Sequence, residues 1–284
     1  MQPQIEHVSD TALMVAGCRA LETQRPDALV QDPFAAALAG ERGMALANAS
    51  PRVGMVQFGV GMRCRFIDEL LRFALSRGVD TVLNLGAGLD TRPWRLDLPA
   101  GLRWIEVDFP EMLEYKAGHL ADATPRCHLE RISADLNQAA ERDAVLESAV
   151  SAGSTRLLMT EGLLMYLPAE TLQILAGDAR ARGFRYWLLD VSSPELMRQA
   201  HGDLTASIER VRAEEQLSGK DILDVAARHG WTVADQRRYI RDGASLAYPR
   251  MGELSKGGGI DPSAPPPIDD VSGVWLYEDT TASR

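Results

Sequence analysis

The chain has 284 residues, 45% of them hydrophobic, with 30 Lys and Arg against 40 Asp and Glu, a formal net charge of −10. That length and apolar content suit one large α/β domain, alone or with an appended cap, whose core needs no covalent staples. A surface this acidic repels phosphate backbones and anionic membranes, so neither nucleic acid nor a membrane is an expected partner.

Cys18, Cys64 and Cys127 are scattered, with no Cys-x-x-Cys pair. Such a set argues against a disulfide framework and a structural zinc site, and no metal is expected. Met1 to Asp10 has neither a basic start nor an apolar stretch, so no signal peptide is expected. No apolar run approaches the roughly 20 residues of a membrane span. The expected compartment is the cytoplasm.

The N-terminal part is helical in pattern. Val8 to Glu22 carries spaced apolar residues, and Asp32-Pro33-Phe34 places an acidic cap before a helix-opening proline. Phe66, Ile67, Leu70, Leu71 and Ala74 recur at helical spacing, with Asp68, Glu69 and Arg72 between them, and the pattern ends at Gly78. Residues 1–78 thus read as a helical cap. Strands and helices then alternate through residues 79–241, the expected core. The strands are predicted at Thr81–Leu85, Arg103–Val107, Cys127–Ile132, Arg156–Thr160 and Tyr186–Val191, with helices clearest at Gln138–Val150 and Ala169–Arg182. Such alternation implies right-handed crossovers onto a mostly parallel sheet, here an α/β, Rossmann-like sheet of seven strands with helices on both faces. Further helices are expected at 203–217 and 221–229, and late strands at 232–240 and 274–277. Residues 242–273, rich in Gly and Pro, read as an irregular loop or lid, and 274–284 as the last strand and tail.

Leu85-Gly86-Ala87-Gly88-Leu89-Asp90 follows the first strong strand. Glycine lets the backbone turn tightly there and a ligand approach closely. Asp108 stands twenty residues after Gly88, where an acid at the end of the next strand accepts from both ribose hydroxyls, with Glu106 two residues before it on the same strand face. A dinucleotide fold wants a third glycine so that a helix N-terminus can close on the pyrophosphate; Thr91, Arg92 and Pro93 hold that place instead. Asp90 is also a poor neighbour for a diphosphate. The turn therefore favours the sulfonium cofactor S-adenosylmethionine over NAD. Two further segments fall at strand ends: Ser133-Ala134-Asp135-Leu136, suited to an adenine amino group and ring, and Thr160-Glu161-Gly162, which puts an acid beneath a sulfonium.

At these residues the chain resembles the leucine carboxyl methyltransferase family, including its bacterial O-methyltransferase members. The matching segments are Arg19-Ala20-Leu21-Glu22, Asp32-Pro33-Phe34-Ala35 and Arg63-Cys64-Arg65-Phe66-Ile67-Asp68. They continue with Leu85 to Arg92, Trp94-Arg95, Val107-Asp108-Phe109-Pro110 with Lys116, and Thr160 to Leu167. The resemblance implies that Gly86, Ala87 and Gly88 line the methionine moiety, Asp108 holds the ribose, Asp135 and Leu136 hold adenine, and Glu161 lies near the aminoacyl end. It also implies that Arg63, with Arg19 second, grips the cofactor carboxylate, a task suited to a bidentate guanidinium. Tyr166 is a candidate for orienting the acceptor oxygen.

The expected reaction is O-methylation of a carboxylate on a small natural product or peptide C-terminus. A carboxylate is already anionic at neutral pH, so no His or Cys base is expected and alignment in a dry pocket supplies most of the acceleration. A phenolic acceptor, with its pKa of about 10, would need a base or a nearby cation. The alternatives are an NAD-dependent oxidoreductase and a non-catalytic protein that keeps the cofactor pocket.

Overall fold

The computed structural model describes residues 7–49, 52–196, 217–255 and 271–281. It divides into two compact units. One comprises the described parts of Met1–Ile67, Ser192–Arg212 and Arg237–Val274; the other those of Asp68–Val191, Ala213–Gln236 and Trp275–Arg284.

The first unit opens with helices α1 (Val8–Thr23) and α2 (Ala35–Asn48) and the start of α3 (Val53–Ser76). Small residues let α1 and α2 meet backbone to backbone. A Cβ added to Gly17 would stand 2.5 Å from the Gly43 carbonyl oxygen, and one on Gly43 2.5 Å from that of Leu13. Asp32 does not cap α2 through Pro33. Phe34 is the N-cap residue, and the buried Asp32 carboxylate accepts from the Phe34 N–H at 3.1 Å and from Arg19 Nε at 2.8 Å. The glycine- and proline-rich stretch starts out helical rather than irregular. Tyr239–Ala247 is one helix, Tyr248–Arg250 a 3-10 turn and Met251–Leu254 a further helical turn. Packing explains the correction. Tyr239 stacks on Phe66, a Cβ on Gly243 would meet Met62 Sδ at 2.3 Å, and the buried Arg250 pairs with the fully buried Glu22 at 3.0 Å. Residues 203–216 of one expected helix, and 256–270 of the stretch read as a loop, lie outside the described residues.

The second unit is built on the sheet. Its strands are β1 (Thr81–Leu85), β2 (Arg103–Asp108), β3 (His128–Ser133), β4 (Arg156–Thr160), β5 (Tyr186–Val191), β6 (Thr232–Arg238) and β7 (Gly273–Glu278), in the order β3-β2-β1-β4-β5-β7-β6. The pairs β1–β2, β1–β4, β2–β3 and β4–β5 are parallel. At the far end β7 runs against its neighbours. The Asp279 N–H just past its end donates to the Arg185 carbonyl just before β5, and Thr232 at the start of β6 donates to the Glu278 carbonyl.

Central strands covered on both faces read as continuous apolar runs. All five residues of β1 are buried, as are Trp104, Ile105 and Val107 of β2 and Trp187, Leu188 and Leu189 of β5. Each buried aliphatic side chain among them contributes about 1.5–3 kcal/mol of transfer free energy. The edge strand β3 instead has no fully buried residue and carries charged, exposed positions such as Glu130 and Arg131, which blunts an open edge. Among the described residues no helix is long and apolar enough to cross a membrane.

Candidate functional site

Strand order reverses at β1: β2 and β3 lie on one side, β4 and β5 on the other. Ligands of such sheets sit beyond the carboxyl ends of the strands at that switch point. The chain leaves β1 into the glycine turn, β2 into Asp108-Phe109, β3 into Ala134-Asp135 and β4 into Glu161-Gly162. One end of the parallel sheet therefore gathers Gly86, Ala87, Gly88, Asp108, Asp135, Leu136, Glu161 and Tyr166, all within the second unit.

The turn is stitched to β2. Ala87 N–H donates to the Val107 carbonyl at 3.0 Å, and Gly88 N–H donates to Asp108 Oδ2 at 2.6 Å. Gly86 and Gly88 both have positive φ, 62° and 42°, a region that side-chain-bearing residues adopt only at a cost. At Gly86 the close neighbour is protein: a Cβ there would meet Leu163 Cδ1 at 2.8 Å. The first glycine thus seats the β4 loop on the turn, a role that glycine spacing alone does not announce. Gly162, also at positive φ, is held from the other side, its N–H donating to Asp190 at 2.6 Å.

Asp108 is half-buried. Among the described residues its hydrogen-bond donors are the amides of Gly88 and Phe109, the latter at 2.8 Å. Burial pushes its carboxyl up, against the pull of those two N–H groups and of Lys116. A carboxylate offers about four lone-pair sites, so two N–H donors leave acceptor capacity for hydroxyls. Asp135 accepts from the Asn137 N–H at 3.0 Å, an Asx turn that fixes the loop after β3, and Leu136 beside it is buried. Tyr166 ends a short 3-10 helix, Leu164–Tyr166, and is half-buried.

Behind the turn lies an ion cluster. Arg92 Nε donates to Asp68 Oδ1 at 2.6 Å, and its Nη1 reaches Asp90 Oδ1 at 3.0 Å and Glu161 Oε2 at 2.6 Å. Arg95 holds Asp68 through both oxygens, at 2.6 and 2.9 Å. Burial alone would raise the Asp68 and Asp90 carboxyls, but the neighbouring cations, Arg92 first, outweigh it and hold both below the usual range. Asn84, the one amide in buried β1, donates to Asp90 at 3.1 Å and ties the strand to the same cluster. Asp68 holds a polar position between the apolar ones of its helix, and it is buried. Its place four residues after buried Cys64 and three before buried Leu71 was the available signal.

The donor set bears on which nucleoside fits. The helix after the turn, Arg92–Arg95, is a single turn, and its first N–H is already taken by Asp90 Oδ1 at 3.0 Å. A pyrophosphate would meet Asp90 where a dinucleotide fold presents open amides. Hydroxyls and a cation suit the carboxylates at these strand ends. The residues present therefore fit an adenosine with a sulfonium-bearing, phosphate-free tail. Arg19 and Arg63 belong to the first unit, where Arg19 is buried and paired with Asp32. Among the described residues no cluster of His, Cys, Asp and Glu is arranged to hold a metal.

Known proteins agree with this chemistry. Residues 12–178, more than half of the chain, match the family model described as leucine carboxyl methyltransferase. A Streptomyces coelicolor protein is 35% identical over 236 residues, covering 79% of this chain and 83% of its own. A Mycobacterium avium protein is 30% identical over 285 residues, covering 88% and 91%. Both bear names that assign them, with no substrate stated, to the S-adenosyl-L-methionine-dependent methyltransferases. A solved structure from Thermobifida fusca shares the fold, with a TM-score of 0.51 at 14% identity and 94% of each chain covered. The chain is an S-adenosyl-L-methionine-dependent methyltransferase and belongs to the leucine carboxyl methyltransferase family.

Proposed function

We propose that the protein methylates an oxygen, specifically a carboxylate of a small natural product or a peptide C-terminus. The observation that carries this reading is the family match over residues 12–178, joined to the character of the strand-end side chains, which are carboxylates, a phenol and apolar groups. When bound, S-adenosylmethionine supplies a methyl group activated by its sulfonium. In the proposed arrangement Asp108 accepts from the ribose hydroxyls, Asp135 and Leu136 receive the adenine, and Gly86, Ala87 and Gly88 line the methionine part beside Glu161. Arg63, with Arg19, is proposed for the aminoacyl carboxylate on the strength of the family resemblance. Tyr166 is proposed to orient the acceptor oxygen.

A carboxylate acceptor needs no proton removed, so this reading asks the chain only to align two reactants and exclude water. The thiols make weak candidates for a base in any case, since burial pushes those of Cys18 and Cys127 up to about 12. The test is to incubate the protein with S-adenosylmethionine and a panel of carboxylic acids, C-terminal peptides and phenols, and read products by mass. An alkali-labile methyl ester is expected. Transfer only to phenols, giving alkali-stable ethers, would overturn the carboxylate assignment.

A further inference from the structure

We propose that Arg92 is the positioning residue of this site, locking the glycine turn to the carboxylate that follows β4. The role rests on the reading of Glu161 as a cofactor contact. The Arg92 side chain is 1% exposed and divides its donors among three elements. Asp68 comes from α3, Asp90 from the glycine turn and Glu161, 69 residues beyond Arg92, from the exit of β4. One anchor is itself fixed, because Arg95 clamps Asp68 through both oxygens. The other two are then set by the rigid, planar fork of the guanidinium, whose N–H directions are fixed relative to one another. A displacement of the turn is thereby transmitted to Glu161.

The Glu106–Lys116 cluster reaches solvent through a cation, Arg131, which is 27% exposed beside two partners at 0%. The Arg92 cluster is graded toward a carboxylate instead. Exposure rises from Arg92 through Asp68 and Asp90 to 16% at Glu161, the member at the strand-end surface. Leu163, two residues past Glu161, meets Gly86 of the turn, so apolar packing makes the same connection. Arg92 therefore acts on the cofactor through Glu161.

A double-mutant cycle separates this from a purely structural role. Calorimetric affinity for S-adenosylmethionine is measured for wild type, Arg92→Met, Glu161→Gln and the double variant, with melting temperatures alongside. Each single variant is expected to bind about tenfold more weakly, and the double no more weakly than either single. Arg92→Lys, which keeps the charge but not the fork, should recover part of the loss. Arg92→Met combined with Asp135→Ala, whose hydrogen bonds stay within the loop after β3, should give additive losses. Additive losses in the Arg92–Glu161 cycle, or an Arg92→Met protein that binds as wild type does, would overturn the proposal. If Arg92→Met fails to fold, the same cycle is run on Arg92→Lys with the same criteria. Wild-type protein that binds no S-adenosylmethionine would overturn the cofactor assignment itself, whereas binding with additive losses removes only the role of Arg92.

Discussion

Two carboxylates on one strand have been given opposite tasks. Glu106 and Asp108 are two residues apart on β2 and share a face, since side chains alternate along a strand. Glu106 is fully buried. It pairs with Lys116, equally buried, at 2.5 Å and with Arg131 at 3.1 Å, and both cations lie within 6 Å of the Trp94 ring centre. Asp108, one pleat nearer the strand end, has no ion pair among the described residues and is held by two backbone amides. Burial raises both carboxyls. The inner acid has every neighbour it needs inside the protein, while the outer one keeps acceptor positions open. Buried charge therefore marks a site by what its partners leave unused, and burial alone is no guide.

The largest effect should come from breaking the inner pair. Lys116→Met leaves a buried carboxylate short of its main partner, and one-sided removal of this kind costs about 3–5 kcal/mol. A melting experiment should show that loss, and an unchanged transition would mean that Glu106 is less dependent on Lys116 than the geometry implies. Gly86→Ala comes next, at about 2 kcal/mol, because alanine is strained at φ 62° and its Cβ crowds Leu163. If the turn supports Asp108 as described, this variant should also bind S-adenosylmethionine less well than its stability alone explains. Asp108→Ala should weaken that binding at least about tenfold, or about 1.4 kcal/mol, with little change in melting temperature. Unaltered affinity would put the ribose on another carboxylate.

The subtlest effect is on pH. Protonating Asp108 removes its charge, and its titration lies above the ordinary 3.8. Affinity for S-adenosylmethionine should therefore fall as pH drops through that raised value, while Asp108→Asn shows no such step. Asp68 and Asp90, held below 3.8, stay ionised across the same window and do not contribute. A step at the same pH in Asp108→Asn would assign the titration to a different group.

Much of this was legible in the sequence because the signals are local. The strand β1, bounded by a turn that needs two glycines, and the acid twenty residues on follow from spacing and backbone geometry. The boundaries of β4 and β5 follow from apolar runs. What stayed hidden depends on contacts between distant segments. Asp68 looked like a solvated helix residue, because nothing nearby in sequence announces that Arg92 and Arg95 arrive to neutralise it. The helix at Tyr239–Ala247 was obscured by its surroundings, since glycine and proline lower local propensity while Phe66 and Met62, far earlier in the chain, supply the packing that stabilises it. Gly86 was legible as a glycine but not as the seat of Leu163.

The Asp90 carboxylate on the first amide of the helix after the turn has one more consequence. Adenosine is shared currency in a cell, and a nucleoside triphosphate offers the same ribose and base that Asp108 and Asp135 are proposed to hold. The two kinds of molecule part company at the 5′ substituent. There the Asp90 carboxylate, paired with Arg92, already takes the first amide after the turn. A 5′ phosphate is therefore expected to find that amide taken and a carboxylate beside it, whatever methyl acceptor the rest of the chain receives.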